Sequence, residues 1–167
     1  MLQLDGLDQS GHFCRMDFEL TNYMENALHT AELAARRGEV PVGAVIVDSK
    51  TGRIVATTGN QMVGRHDPTA HAEMLAIRAA GNMVGSQRLT DCDLYVTLEP
   101  CPMCAAAISH ARIRRLYFGA FDPKGGGVEH GPRIYDHPTC HHKPEVYGGI
   151  GEKRSAALLK EFFANRR

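Results

Sequence analysis

The sequence predicts an α/β fold, a mixed β-sheet flanked by helices, on three observations. Residues 42–57 hold two β-branched runs separated by a Gly-containing turn, residues 94–119 read strand, helix, strand, and helical periodicity precedes the first unit and follows the second. A hairpin pairs its strands antiparallel whereas a helical crossover favours parallel pairing, so the sheet is expected to be mixed.

Residues 1–15 carry Gly6, Gly11 and scattered polar residues without an apolar period, and are expected to form a disordered N-terminal extension to a single domain over 16–167. Asp17 is the expected N-cap of a first helix running to Arg37, with Leu20, Met24, Ala27, Leu28, Ala31 and Ala34 at helical spacing and Gly38 closing it. Val42 to Val47 and Arg53 to Thr57 follow as the hairpin strands, turned by residues 48–52. Asp67-Pro68 reads as an N-cap with proline at the first helical position, opening a second helix that stops at Gly81. Leu94 to Leu98 is a third strand, Glu99-Pro100 opens a helix to about Ala111, and Arg115 to Gly119 is a fourth strand. Residues 122–151, rich in Gly, Pro and His, read as one long loop of the functional or mobile kind, before a last helix from about Glu152 to Asn165.

At 167 residues and 43% apolar content, the chain can enclose one core. No run approaches the roughly 18 apolar residues of a membrane span and no signal-peptide arrangement opens the chain, so a soluble cytoplasmic protein is expected. Five cysteines, two of them spaced Cys101-x-x-Cys104, fit reduced thiols better than a disulfide framework. The formal net charge is zero, but residues 1–40 carry seven acidic against three basic side chains, leaving a net +4 on the remainder. That permits a basic face there without demanding one.

The chemistry is concentrated in His71-Ala72-Glu73 and Pro100-Cys101-Pro102-Met103-Cys104. One His and two Cys supply three zinc ligands and leave a fourth tetrahedral position for water, the arrangement of a catalytic site rather than a structural one. Cys101 and Cys104 are three apart on the expected helix and share a face, at an N-terminal end that favours thiolate. Residues two apart on a regular helix point about 200° away from each other, so Glu73 is not expected to join His71 as a ligand. A free carboxylate beside zinc-activated water suits proton transfer, from the water to a ring nitrogen and the departing amine. His-x-Glu with Pro-Cys-x-x-Cys is the established signature of the zinc deaminases, and the match is to that known pattern. The competing account is a folding zinc or ordinary core residues. A lone Cys-x-x-Cys would favour it; ligands, acid, prolines and an intervening strand together do not.

Residues 38–44 (Gly-Glu-Val-Pro-Val-Gly-Ala), Asn60, residues 67–73 (Asp-Pro-Thr-Ala-His-Ala-Glu) and residues 94–101 (Leu-Tyr-Val-Thr-Leu-Glu-Pro-Cys) resemble the bacterial tRNA-specific adenosine deaminases of the cytidine deaminase superfamily. The similarity runs from about residue 18 to the carboxyl terminus. It implies a three-layer α/β/α cytidine-deaminase-like fold with a five-stranded mixed sheet, a homodimer with both sites near the interface, and one zinc ion per subunit. It also implies hydrolysis of adenosine to inosine at the wobble position of a tRNA anticodon stem-loop, of an arginine tRNA, with water attacking C6. Carried over by residue, it implies His71, Cys101 and Cys104 as metal ligands, Glu73 as the catalytic proton shuttle, and Asn60 and Ala72 as contacts to the flipped base. Asp122 and Lys124 match contacts near the target nucleotide, while Phe162, Phe163, Arg166 and Arg167 match the end of a last helix near the anticodon loop. A turn role for Asn60, a solvated loop for Asp122 and Lys124, and core packing for the adjacent phenylalanines stand beside these readings. Gly125-Gly126-Gly127, where a Thr-Gly-Ala-Ala-like run is common, and Cys140-His141-His142 depart from the family pattern, which leaves the loop's RNA contacts open.

His137, Cys140, His141 and His142 are read as a histidine-rich surface loop, with no second zinc expected. The nearest rival function is guanine deaminase or another free-base or nucleoside zinc deaminase; a different class is a zinc-bearing RNA-binding module without catalysis. Thr97-Leu98-Glu99 and the basic ending resemble the tRNA enzymes, and an uncoordinated Glu73 has no use in a closed structural site. Extruding a base costs a few kcal/mol, less from an already looped anticodon, which favours a loop as substrate.

Overall fold

The computed structural model describes residues 12–166, the side chains of residues 12–21 excepted. Helix α1 (His12–Arg36) leads into strands β1 (Gly43–Asp48) and β2 (Ile54–Gly59), a short helix α2 (Met62–Arg65) and helix α3 (Ala72–Val84). Strand β3 (Cys92–Leu98), helix α4 (Pro102–His110) and strand β4 (Arg115–Ala120) follow, then a 3-10 turn (Ile134–Asp136), strand β5 (Glu145–Tyr147) and helix α5 (Glu152–Ala164). The strands form one sheet in the order β2-β1-β3-β4-β5. β1 pairs antiparallel with β2 and β3, while β3–β4 and β4–β5 are parallel. The mixed five-stranded sheet is the one the resemblance implied, and the parallel β3–β4 pair is the crossover read from the strand–helix–strand succession.

Helices cover both faces, which is why the central strands are apolar at almost every position rather than alternating. On one face Ala72, Ala76 and Ala80 of α3 and Ala105 and Ile108 of α4 pack on Ala44, Ile46, Leu94, Val96, Leu116 and Phe118. On the other, Met24, Ala27 and Leu28 of α1 meet Val45, Val47, Tyr95 and Tyr117. A row of stacked tyrosine rings, Tyr95–Tyr117 at 4.5 Å and Tyr117–Tyr147 at 5.0 Å between centroids, continues that second face across β3, β4 and β5.

The approach of α1 to the sheet depends on Gly43. A Cβ there would lie 2.0 Å from the Ala27 carbonyl oxygen and 2.7 Å from the Ala31 nitrogen. Both are helix backbone atoms, so α1 must lift off β1 to admit a methyl group. Gly43→Ala is expected to destabilise the fold by at least the ~1–3 kcal/mol typical of overpacking, read as a lowered midpoint in denaturant unfolding with unchanged slope; a midpoint equal to wild type would show that α1 has slack here.

Several boundaries differ from the sequence expectation for local reasons. α1 begins at His12, ahead of Asp17 and within the stretch read as an extension; residues 1–11 lie outside the described residues. Asp67 does not cap α3: its Oδ1 accepts from the Thr69 amide (2.8 Å) and hydroxyl (2.7 Å), closing a turn around Pro68, and the helix starts four residues later behind His71. α3 also runs through Gly81 to Gly85, whose φ of 71° supplies the left-handed cap. α4 starts at Pro102 with Cys101 as N-cap, because Glu99 N–H still extends the sheet to the Ala120 carbonyl. The long loop contains β5, three residues bracketed by Pro144 and Gly148, and the 3-10 turn.

Candidate metal centre and active site

The two helix starts bring the predicted ligands together. His71 is the N-cap of α3, at φ −69° and ψ 151°, and makes no side-chain cap bond, so its ring is available elsewhere. Its Nδ1 stands 3.7 Å from Cys101 Sγ and 3.5 Å from Cys104 Sγ. The donor atoms of all three lie within 4.8 Å of one another, and they form the one such trio among the described residues. Tetrahedral zinc with Zn–S of about 2.3 Å and Zn–N of about 2.05 Å needs N···S separations of about 3.5–3.6 Å. The spacing of His71 Nδ1 from both sulfurs fits that ion, and three protein donors leave its fourth position free.

Glu73 sits in the first turn of α3, only 4% exposed. Because His71 stands outside the helix on extended backbone, the opposite-face argument does not separate the two: Glu73 hydrogen-bonds Cys104, which His71 also approaches. Burial pushes its carboxyl up to about 7, against the pull of its own backbone amide. The two thiols shift in opposite directions. The hydrogen bond from Cys104 lowers Cys101 to about 4, and the same bond, with burial, pushes Cys104 upward. His71 is raised by its bond to Cys101. A metal ion would hold both sulfurs as thiolates, the ligating form.

Asn60, 5% exposed, is fixed by its Oδ1 accepting the Ala72 N–H at 2.8 Å. That bond assigns the amide orientation and leaves Nδ2 with two N–H groups to offer. Ala72 is wholly buried with both backbone groups engaged, its carbonyl accepting the Thr58 hydroxyl at 2.7 Å, so it belongs to the scaffold of the site. Asp122 is half-buried and caps its own turn through Oδ1 to the amides of Lys124 (3.1 Å) and Gly125 (3.0 Å), while Lys124 is exposed. Phe163 is 52% exposed and so is not core packing; Phe162 beside it is half-buried under the Arg166 guanidinium, 4.0 Å above the ring. Arg166 in turn donates to the Gly38 carbonyl at 2.7 Å, and Arg167 lies outside the described residues.

Two buried acids carry structure that motif reading missed. Glu39, 3% exposed, accepts the Val63 and Gly64 amides at 3.1 and 2.8 Å, holding the start of α2 beside Asn60. Glu99, 2% exposed, gathers the loop after β4. The only hint in the sequence is a proline one or two residues after each acid. In the histidine-rich loop, Cys140 Sγ contacts Ser109 Oγ (3.4 Å) and the His142 carbonyl (3.2 Å), while the His137 and His142 rings engage the carbonyls of Pro132 and Ile113.

Residues 19–120 match the family described as cytidine and deoxycytidylate deaminase zinc-binding region. A tRNA-specific adenosine deaminase of Agrobacterium fabrum is 56% identical over 149 residues, 89% of this chain and 97% of the relative. A solved structure from a study of A-to-I editing by tRNA:A34 deaminases at the wobble position is 57% identical, covering 83% of this chain and 99% of its own, with a TM-score of 0.81. A guanine deaminase from Bacillus subtilis is more distant, 34% identical with a TM-score of 0.60, covering 87% of this chain and 96% of its own.

Proposed function

The chain belongs to the cytidine and deoxycytidylate deaminase family, and from that membership we infer that it hydrolytically deaminates adenosine to inosine at the wobble position of a tRNA anticodon. The observation that carries the chemistry is the buried Glu73 carboxyl beside the His71–Cys101–Cys104 trio. Adenosine in tRNA is preferred to guanine because identity to the tRNA enzymes exceeds that to the guanine enzyme by a wide margin.

Zinc, held by His71 Nδ1 and the two sulfurs, would supply a Lewis acid that makes an attacking water acidic. Glu73 is the proton carrier: a carboxyl poised near 7 takes the two protons of the attacking water one at a time, passing one to the purine ring nitrogen and the other to the departing amine. Asn60 donates from Nδ2 to an acceptor on the purine edge, its oxygen being committed to Ala72. Asp122 and Lys124 flank the target nucleotide, and the exposed Phe163 offers a stacking face to a base of the anticodon loop. In this reading the partner is an anticodon stem-loop, of an arginine tRNA, and the enzyme is a homodimer acting in the cytoplasm. No helix among the described residues is long and apolar enough to cross a membrane.

Incubation of zinc-loaded protein with an anticodon stem-loop carrying adenosine at the wobble position, and with guanine in parallel, tests the assignment. Inosine at that position with guanine unchanged is the expected outcome. Xanthine with intact RNA would transfer the protein to the free-base deaminases.

A further inference from the structure

Glu99 follows the last residue of β3 and precedes Pro100, one step from the metal-binding turn, and its carboxylate has no contact with solvent. A buried anion of this kind is tolerated only where donors surround it. Five do. Oε1 accepts three successive amides, Val128 at 3.3 Å and Glu129 and His130 at 2.9 Å each. Oε2 accepts the Asp122 amide at 2.9 Å and pairs with His130 Nδ1 at 2.8 Å. The same loop is tied to the turn by its main chain, Gly127 N–H donating to the Pro100 carbonyl at 2.8 Å.

The glycines here are dictated by that closeness. A Cβ on Gly126 would lie 2.5 Å from Glu99 Oε1, and one on Gly127 2.6 Å from the Pro102 nitrogen. In this chain Gly126 and Gly127 let the loop lie close over the carboxylate and the start of α4.

We propose that Glu99 is a positioning residue, a strut that sets Asp122 and Lys124 at a fixed distance from the metal ligands and thereby governs how tightly the RNA substrate is held. The proposal rests on the tRNA-deaminase reading for the identity of that substrate. Its chemical signature is that every partner of Glu99 is a donor. A glutamine keeps one acceptor oxygen, which can serve the three clustered amides; its NH2 then faces the Asp122 N–H, donor against donor, while the His130 ring escapes by changing tautomer. Glu99→Gln should release Asp122 and spare residues 128–130. Glu99→Asp keeps the charge and all acceptor capacity one methylene further back, and should restore part of the loss.

The test compares wild type, Glu99→Gln and Glu99→Asp by amide hydrogen exchange, zinc content and steady-state kinetics on the stem-loop. For Glu99→Gln we expect one zinc per chain, Asp122 exchange and KM each raised about tenfold, the loss of one charge-assisted bond, and kcat little changed, the mark of weakened uniform binding. Unchanged exchange at Asp122, unchanged KM despite faster exchange, or loss of zinc would each overturn the proposal. A wild-type protein inert on the stem-loop would instead count against the substrate reading, and the exchange pattern would still decide the role of Glu99.

Discussion

Glu73→Gln is expected to cut the deamination rate roughly 10²–10⁴-fold, the range lost with a positioned general acid–base group, while zinc stays at one per chain. The substitution preserves volume and a hydrogen-bonding terminus beside Cys104 but removes the site of proton exchange. Zinc retention follows from the ligand set, in which Glu73 does not take part. Stability moves the other way from activity. Burial is the main reason that the Glu73 carboxyl resists ionisation, so an uncharged amide there should leave the melting temperature unchanged or raise it, the usual exchange between stability and function at an active site. Metal analysis, a thermal melt and a stem-loop assay on one preparation separate the cases. Activity within a few-fold of wild type would remove Glu73 from the chemistry and reopen the reading of a zinc-bearing module that binds RNA without editing it.

That centre was legible in the sequence because its residues are grouped by type and short-range spacing. His71, Glu73, Cys101 and Cys104 sit in two short motifs, and the hairpin and crossover that bring the motifs together are each declared by local pattern. What sequence reading missed depends on partners far along the chain. Glu39 and Glu99 reach amides 23 to 31 residues away, a relation that leaves no periodicity. Asp67 and Pro100 carried sound helix-start signals, but each was claimed by a competing interaction, the Asx turn with Thr69 and the continued sheet pairing at Glu99. β5 and α2 are three and four residues long, below the length at which a period can be recognised, so the fifth strand was accessible only through family resemblance.

The second large effect concerns the metal itself. Cys104 is wholly buried on α4, and its sulfur completes the trio with His71 and Cys101. Cys104→Ala leaves two donors, too few to close the protein's share of a tetrahedral site, and should reduce zinc from one per chain to near none, with deamination lost beyond detection. Stability should fall as well, because an ion that binds only the folded chain contributes its binding free energy to folding. Treating wild-type protein with a strong chelator should reproduce both losses, and added zinc should reverse them in the wild type alone. Cys140→Ala is the control: its sulfur is turned to Ser109 and His142 rather than to the trio, so zinc content and activity should survive. Equal zinc loss in both cysteine variants would place the metal elsewhere in the chain, whereas loss confined to Cys104→Ala ties ion, fold and catalysis to the two helix starts that the sheet brings together.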